Sequence, residues 1–390
     1  RQPPAVMLSS PTSCVERAAT EMLRVAGLAG WFIQQALRWS ESEAALRSRL
    51  LALGDWLLER DYIGRDVRAD NPLAEISTVA GAAMVGWVNL HALTGDPLYR
   101  EHADACRTRL LASRNGEGVW PFPYAFRRNP PGHVYACETL MTLRALLAYS
   151  ERLQADPETL AAVVDGVTYL LARIGHEGGV FWYSATDHIR VPNISSMAAN
   201  VLARAGDSAG RPEWVALARE LAAYCLSQQR GDGAYPYEEG RPFVYIPYHA
   251  LETWELAEAN AVLRDPAIAD SAQRALAYLR GELRRGYASY DNDHDGHRQE
   301  LFKTAIWSAK AFLTLGDLDA ARQHLVRGMR RHRAPGRADY VYRLNHRRFG
   351  PLTVTFPALR TGFVRYDASC FEIGTRLLLA SRGTSSIETT

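Results

Sequence analysis

The sequence predicts an all-α fold, a closed (α/α)6 toroid or barrel of helical hairpins with long aromatic-rich loops at one end. Four glycine turns that carry aromatic side chains recur along the chain, and their residues Trp120, Trp182, Tyr235 and Tyr287 lie 62, 53 and 52 residues apart. Each interval holds two stretches with apolar residues at three- and four-residue steps, so the repeating unit is a helical hairpin. This period favours a ring of about six hairpins.

Proline marks the same point in four hairpins, directly before the second helix, at Asp96-Pro97, Asp156-Pro157, Arg211-Pro212 and Asp265-Pro266. Proline in the first turn is typical of a helix start. In chain order we predict helices over residues 14–37, 41–60, 76–93, 98–112, 134–150, 157–174, 194–205, 212–229, 248–260, 266–284, 300–315 and 318–332. A last helix over residues 367–381 closes the ring. Residues 243–246 and 352–356 are predicted as short edge ribbons.

No linker rich in Ser, Gly or Pro interrupts the repeat, which predicts one toroid domain over residues 1–390. Within it, 1–13 form an N-terminal extension and 383–390 a C-terminal tail. The five cysteines are scattered and never spaced as Cys-x-x-Cys, a pattern typical of buried thiols in a reducing compartment. We therefore expect cytoplasmic residence and no membrane span. The sequence does not predict the oligomeric state.

Positive charge is concentrated near the C-terminal end. The net charge is only +2, but residues 321–366 hold eleven arginines and one acid, Asp339. Lysine occurs only at positions 303 and 310. The clustering predicts an anion-attracting surface. Aromatic residues interleave poorly with it, so we do not expect a nucleic-acid partner.

Two families resemble this chain. The segments Ile76-Ser77-Thr78 and Leu93-Thr94-Gly95-Asp96-Pro97-Leu98-Tyr99 resemble the hairpins of carbohydrate-active six-hairpin toroids, such as the C-terminal domain of glucuronyl C5-epimerases, sugar epimerases and unsaturated-uronyl hydrolases. Arg365-Tyr366-Asp367 resembles the epimerase Arg-Trp-Asp segment, although Ala368 replaces the tyrosine that follows there. Gln229-Arg230-Gly231-Asp232-Gly233-Ala234-Tyr235 resembles the Gln-x-x-x-Gly-x-Trp repeat of terpenoid cyclases and protein prenyltransferases. Both resemblances imply an α/α toroid.

Polar residues follow each aromatic turn, where the next hairpin's first helix begins. The candidate catalytic residues are His249, Tyr245, Tyr366, His133 and Glu300. Histidine transfers protons near neutral pH, and tyrosine does so once a nearby cation lowers its pKa. His133 and His249 are equally compatible with a structural role, and helix capping also explains Asn193, Ser195 and Asp367.

The aromatic turns and nearby polar residues are candidates for substrate binding. Aromatic faces suit pyranose rings, and arginine suits carboxylate, sulfate or diphosphate groups. The candidate set is Trp120, Tyr124, Trp182, Asn193, Tyr235, Tyr237, Tyr290, Arg347 and Arg365.

Asp291-Asn292-Asp293-His294-Asp295-Gly296 is the most distinctive polar cluster. Carboxylates at alternate positions before glycine suit a calcium loop, with Asp291, Asp293 and Asp295 as ligands, although Phe302 stands where such a loop ends in glutamate. A solvated acidic turn and a catalytic acid cluster explain the segment as well. Calcium is the candidate ion for this loop, and we expect no cofactor to be required.

We conclude from the sequence that this chain is a carbohydrate-active enzyme for an anionic, uronate-type glycan or glycoconjugate. The reaction is C5 epimerisation, elimination or hydrolysis. Hydrolysis needs two facing carboxylates from Glu138, Asp187, Glu252, Asp291 and Glu300. The alternatives are a terpenoid cyclase or isoprenoid-diphosphate enzyme and a non-catalytic helical-toroid binding protein. A cavity lined mainly by aromatic and aliphatic carbon favours the cyclase, whereas a rim of Asn, Arg and carboxylates favours a sugar.

Overall fold

Aspartate and proline fix the starts of several helices. Asp96, Asp265 and Asp317 accept backbone N–H hydrogen bonds at the first turn of the helix that follows, at 3.0, 2.8 and 3.0 Å. Pro97 and Pro266 occupy the first turn, where a missing N–H costs nothing. The computed structural model describes residues 42–63, 76–153, 157–291, 299–333, 336–349, 352–357 and 363–385.

The described residues form twelve α-helices. In chain order they are α1 (Glu43–Glu59), α2 (Ile76–Thr94), α3 (Pro97–Ala112), α4 (Ala136–Leu153), α5 (Pro157–Tyr169), α6 (Pro192–Ala209), α7 (Pro212–Gln228), α8 (Ile246–Leu263), α9 (Pro266–Arg285), α10 (Phe302–Thr314), α11 (Leu318–Arg331) and α12 (Val364–Ser385). A π-helical turn, Leu170–Ile174, extends α5. The predicted all-α toroid is confirmed.

The even-numbered helices form an inner ring. Each packs against its two even-numbered neighbours, and α12 packs against both α10 and α2, so the ring is closed. The odd-numbered helices lie outside, with α3, α5, α7, α9 and α11 each contacting the inner helix that precedes it. The first helix of each hairpin therefore faces the bore, as expected.

The ring closes where α12 meets α1 and α2. The Phe371 ring packs edge-on against Trp87 with the ring centroids 4.7 Å apart. Glycine permits this approach, because a Cβ on Gly86 would clash with Phe371 and one on Gly54 would lie 2.6 Å from Trp87. The outer partner of α12 is thus α1, from the opposite end of the described chain. Our prediction paired residues 41–60 with 14–37, and the latter lie outside the described residues.

Two small antiparallel sheets lie at the end of the ring that carries the long loops. One pairs β1 (His176–Glu177) with β2 (Val180–Phe181), and the other has the order β3 (Gln299–Leu301), β4 (Arg343–Phe349), β5 (Leu352–Pro357). The predicted ribbon over residues 352–356 is confirmed as β5. The ribbon over 243–246 is wrong, because Ile246 begins α8 and Tyr245 forms only an isolated bridge with Tyr290.

Four cysteines lie among the described residues. Cys106, Cys225 and Cys370 are buried free thiols, and Cys137 is partly buried. None of the described helices has both the length and the apolar character of a membrane span.

Candidate active site

A cavity of about 270 Å³ opens within the ring at the end where the inner helices begin. Residues in or next to the first turns of α4, α6, α8, α10 and α12 line it, together with the long loops. The lining residues are Phe122, Tyr124, Phe126, Cys137, Glu138, Met141, Tyr183, Ile189, Val191, Asn193, Ile194, Met197, Tyr237, Tyr248, Leu251, Lys303, Trp307, Tyr342, Phe363, Arg365 and Tyr366. The lining is mainly aromatic and aliphatic, and six of its residues are tyrosines.

The electrostatic potential in this cavity favours a negatively charged ligand. Five inner helices begin beside it, and the N-terminal end of a helix carries a partial positive charge of roughly half a unit. Arg365 adds a formal cation, and Glu138 is the one carboxylate among the described lining residues. An anionic group of ligand size is the natural complement of this arrangement.

Four aromatic rings surround the Lys303 side chain. Its Nζ lies 4.6 Å from the centroid of Tyr245, 4.8 Å from Tyr248, 5.6 Å from Trp307 and 5.7 Å from Tyr366. The residue is only 5% exposed. Within the described part of the chain, no carboxylate forms an ion pair with it.

Burial lowers the pKa of Lys303 well below its usual value, and the nearby charge of Arg365 lowers it further. The aromatic faces oppose this shift, because a cation–π contact is worth about 0.5–2 kcal/mol. Full burial shifts a lysine pKa by up to about 3–5 units, at about 1.4 kcal/mol per unit. Desolvation therefore dominates, and burial makes the neutral amine of Lys303 accessible at a lower pH than that of an exposed lysine.

Arg365 and Tyr366 lie beside this amine at the start of α12. The Nη2 of Arg365 donates to the Tyr366 hydroxyl oxygen at 3.1 Å, and its Cζ lies 4.9 Å from the ring centroid. Tyr366 stacks on Tyr342 with the centroids 5.1 Å apart and an interplanar angle of 10°. This packing holds Arg365 at the cavity wall.

The tyrosines here are hydroxyl groups rather than phenolates. Burial raises the pKa of Tyr183, Tyr245, Tyr248 and Tyr342 above the ordinary value near 10. Burial, together with the neighbouring Tyr342 and Tyr248, raises the pKa of Tyr245, so the expectation that a cation lowers the pKa of a catalytic tyrosine is wrong for Tyr245. Such groups can donate a proton or a hydrogen bond.

Two further polar groups face the cavity. Asn193 is 8% exposed, and its Oδ1 lacks a hydrogen-bond partner among the described residues. A buried acceptor without a donor costs about 1–3 kcal/mol, which makes Asn193 a candidate ligand contact. Glu138 accepts from Ser77 Oγ at 3.0 Å and from Thr78 Oγ1. These bonds connect α4 to the start of α2.

At the rim, Arg127 links two of the long loops. Its guanidinium pairs with Asp187 at 2.5 Å and lies over the Tyr183 ring, 4.9 Å from the centroid. Tyr237 from the next loop stacks on Tyr248 with the centroids 5.7 Å apart. The aromatic loops thus form a packed rim.

Five of the predicted site residues line the cavity. They are Tyr124, Asn193, Tyr237, Arg365 and Tyr366. Tyr245, at the start of α8, lies behind the lining and contacts it through Lys303 and Tyr248.

His249 does not reach the cavity. It lies between α8 and α9, where Nδ1 accepts from the Tyr235 backbone N–H at 3.0 Å and Nε2 donates to the Ala275 carbonyl at 3.0 Å. Burial lowers its pKa to about 4. With both ring nitrogens bonded to the backbone, His249 has a structural role, which corrects its placement among the catalytic candidates.

Glu300 is likewise buried away from the cavity, on β3. It forms an ion pair with Arg331 at 2.8 Å and lies 3.8 Å from Nε2 of His332. Burial opposes ionisation, but His332 and the charge of Arg331 keep the pKa of Glu300 well below its usual value. Glu300 is therefore an anchored carboxylate between β3 and α11, not a cavity group.

Three other candidates lie on the loops outside the cavity lining. His133 Nε2 is 3.4 Å from Thr186 Oγ1, and its ring packs edge-on against Tyr135. Trp182 stacks on His188 with the centroids 4.8 Å apart. Tyr290 is 40% exposed and packs against Tyr245.

Two predicted aromatic platforms belong to the core. Trp120 is 1% exposed, and its Nε1 donates to the Leu110 carbonyl at 2.9 Å. Tyr235 is also 1% exposed, with its hydroxyl 2.7 Å from Ser271 Oγ. Both join an inner helix to the outer layer, so the prediction that they bind substrate is corrected.

The predicted calcium loop is described only at its first residue. Asp291 accepts from the Val244 N–H at 2.9 Å and from Arg230 and the Tyr278 hydroxyl at 3.2 Å each. Asp293 and Asp295 lie outside the described residues, and so does the side chain of Arg347. The described part of the chain contains no group of three or more residues that could hold a metal ion. Calcium binding by this loop stays a prediction.

The prediction of site residues missed much of the cavity wall. Lys303 was noted at a helix start but not chosen, and Tyr183, Tyr248, Trp307 and Tyr342 were not considered. The rarity of lysine was the sequence signal that could have identified Lys303 as a site residue, because the chain has only two lysines beside 43 arginines.

A second cavity, of about 310 Å³, lies further along the bore on later turns of the inner helices. Met141 lines both cavities. Arg144 pairs with Glu255 at 2.8 Å, Lys310 with Glu372 at 2.8 Å and Arg376 with Glu258 at 2.5 Å. This end of the bore is therefore a network of paired charges.

No protein-family model and no curated protein sequence matches this chain. Three solved structures are similar over most of their length. An unsaturated glucuronyl hydrolase specific for heparin shares 14% identity over 80% of this chain and 87% of that one, with a TM-score of 0.56. A cellobiose 2-epimerase from Spirochaeta thermophila DSM 6192 shares 13% identity over 78% and 86%, with a TM-score of 0.58. A GH76 α-mannanase from Bacteroides thetaiotaomicron shares 9% identity over 88% and 97%, with a TM-score of 0.61. At these identities the likeness establishes the fold, and the chain is a six-hairpin α/α toroid.

Proposed function

We propose that this toroid is an enzyme that acts on an anionic, uronate-type sugar in the aromatic cavity, by proton abstraction at C5 followed by epimerisation or elimination. The observation that carries the proposal is the buried amine of Lys303, enclosed by aromatic rings and lining the same cavity as Arg365, at the N-terminal ends of the inner helices. The fold is also that of solved carbohydrate-active enzymes, which supports a sugar substrate at the level of architecture.

A C5 proton becomes acidic only when the adjoining carboxylate is neutralised. Arg365 can hold that carboxylate through its guanidinium, and the helix N-termini stabilise the charge that develops on it. Asn193 offers an unpartnered Oδ1 to a sugar hydroxyl. These groups bind and orient the substrate without performing the proton transfer.

Lys303 is the base in this proposal. A lysine accepts a proton only when neutral, and burial gives Lys303 that state at a lower pH than an exposed lysine. The buried tyrosines, with raised pKa values, supply the opposing proton donor. Tyr366 and Tyr248 both lie within reach of the same amine, at 5.7 and 4.8 Å from Nζ to the ring centroids.

Hydrolysis is supported less well. Glycoside hydrolysis ordinarily uses two carboxyl groups on opposite sides of the bond, and the described lining contains only Glu138. Of the other acids considered, Glu300 and Asp291 are bonded to neighbours elsewhere. A non-catalytic binding role is disfavoured by the strongly shifted pKa of a cavity lysine.

One observation favours a second candidate, an isoprenoid-handling enzyme. The cavity lining is mainly aromatic and aliphatic, as a carbocation-stabilising pocket requires. Against it, the described cavity has neither an aspartate cluster for a metal diphosphate nor a second acid to begin cyclisation. We therefore place it behind the sugar enzyme.

The test is C5 proton exchange in D2O with uronate oligosaccharides, followed by NMR and by the ultraviolet absorbance of unsaturated products. Carboxyl-reduced oligosaccharides are the matched substrates. Turnover of uronates alone is the expected result, with deuterium at C5 for epimerisation or an unsaturated product for elimination. Turnover of neutral glycans without exchange, or of isoprenoid diphosphates only, contradicts the proposal.

A further inference from the structure

This chain contains only two lysines, although arginine is abundant. Arginine supplies 43 of the 45 basic residues counted as Lys or Arg. Both lysines lie on α10 and face the bore, Lys303 in the aromatic cavity and Lys310 in the charged one. A guanidinium cannot lose its proton in a protein, whereas a buried amine can. Lysine at position 303 therefore provides chemistry that arginine does not.

We propose that Lys303 is a covalent carbonyl-binding site, whose amine condenses with the aldehyde carbon of an open-chain sugar acid. This inference goes beyond the proposed C5 chemistry, because it assigns a covalent step to Lys303. It shares only the cavity with the proposed function. The amine lies among four aromatic rings, within a cavity of about 270 Å³ that has room for one small sugar.

In this inference, Arg365 selects a sugar acid over a neutral sugar. Both basic side chains lie against Tyr366, with Arg365 Cζ 4.9 Å and Lys303 Nζ 5.7 Å from its centroid. A ligand with a carboxylate at one end and a carbonyl carbon at the other can contact both. Arginine binds the carboxylate, and the amine meets the carbonyl.

The reaction balances without a reductant or an oxidant. The nitrogen of neutral Lys303 attacks the carbonyl carbon, a C–N bond forms as the carbonyl π bond breaks, and one of the two amine protons moves to the carbonyl oxygen to give a carbinolamine. Loss of that hydroxyl with the one remaining proton on nitrogen releases one water and leaves the imine. Burial, which lowers the pKa of the amine, favours the first step.

Reductive trapping tests the inference. The full chain is incubated with D-glucuronate and cyanoborohydride, digested, and mapped by mass spectrometry for a gain of one sugar less one oxygen. Lys310 is the internal control, because it is paired with Glu372 in the other cavity. We expect at least about tenfold more adduct on Lys303 than on Lys310. Equal labelling of the two, or no adduct on Lys303, overturns the inference.

Variants separate covalent capture from fold effects. K303R and K303M should both lose the adduct, and circular dichroism confirms that at least one is folded. K310R should keep the Lys303 adduct. R365Q should lower labelling by D-glucuronate roughly tenfold more than labelling by D-glucose, because only the sugar acid loses a charged contact. The loss of the Arg365 charge, which raises the pKa of Lys303, lowers labelling by both sugars. An equal fall with both sugars contradicts the role of Arg365.

The inference and the proposed function fail differently. An adduct with neither deuterium exchange at C5 nor an unsaturated product contradicts the proposed function alone. Exchange without an adduct contradicts covalent capture alone, because proton abstraction needs only the free amine.

Discussion

Lys303 and Lys310 lie two turns apart on one face of α10, yet only Lys310 has a carboxylate partner among the described residues. Its Nζ is 2.8 Å from Glu372 Oε1, while Lys303 contacts aromatic rings. Burial and Arg144 lower the pKa of Lys310, but Glu372 and Glu258 offset the shift. One helix therefore carries an ion-paired lysine and a lysine enclosed by aromatic rings.

Replacing Lys303 with Met should stabilise the fold near pH 7. The folded-state pKa of Lys303 lies below its unfolded value near 10.4, so between these values the unfolded chain binds the extra proton and stability rises with pH. Folding at pH 7 therefore carries a cost of up to about 1.4 kcal/mol for each pH unit below 10.4. K303M removes that cost. Urea unfolding at pH 7 and pH 10 measures it, and the advantage of K303M should shrink at pH 10. An advantage that is independent of pH contradicts this account.

Breaking the Lys310–Glu372 pair should be costly. K310M leaves Glu372 buried with Arg144 3.8 Å away as its remaining cation. Removing one partner of a buried pair typically costs about 3–5 kcal/mol, and Arg144 reduces the loss here. The double variant K310M/E372Q should recover part of it. Equilibrium unfolding of the two single variants and the double variant gives the coupling, and strict additivity would show that the pair is not coupled.

His249 should affect stability and its pH dependence rather than catalysis. Its folded pKa is about 4 against an unfolded value near 6.5, so stability falls as the pH drops from 6.5 towards 4, by up to about 3 kcal/mol. His324, whose pKa burial also lowers to about 4, contributes in the same direction. H249A should unfold more easily at pH 7 and lose part of this acid sensitivity. A folded H249A with normal stability and no turnover would restore His249 to the mechanism.

Asn193→Leu should separate binding from folding. The substitution removes an unpartnered buried Oδ1, so stability should stay the same or rise by about 1 kcal/mol. Loss of one substrate hydrogen bond should raise KM roughly tenfold. Thermal unfolding and steady-state kinetics measure the two effects, with S195A on the same helix as the buried control. An unchanged KM removes Asn193 from substrate binding.

The periodicity of the sequence was sufficient to predict the ring. Glycine turns and proline at helix starts are local signals, and they placed the hairpins close to their positions in the structure. Ring closure was predicted, but the pairing of α1 with α12 was not, because it depends on shape matching at Gly54, Gly86 and Phe371, residues far apart in sequence.

The site was harder to predict than the fold. Trp120 and Tyr235 follow the same glycine turns as Tyr124 and Tyr237, yet a shift of four positions in the first turn and two in the second decides between core and cavity. His249 has the sequence context of a catalytic residue and bonds only to backbone. The aromatic cage of Lys303 is assembled from three inner helices and one flanking loop residue, and no local pattern encodes such an arrangement.

The contact of α12 with α2 has a consequence for folding. Asn89 Nδ2 donates to the Glu372 carbonyl across 283 positions of sequence, at 3.2 Å. Contacts between residues so far apart in sequence form late in folding. The chain loses the loop-closure entropy before it gains the energy of the contact. An open arc of hairpins should therefore come first. Arg365 and Tyr366 belong to α12, so the open arc lacks these two residues of the cavity wall. The cavity is therefore completed only in the step in which α12 closes the ring.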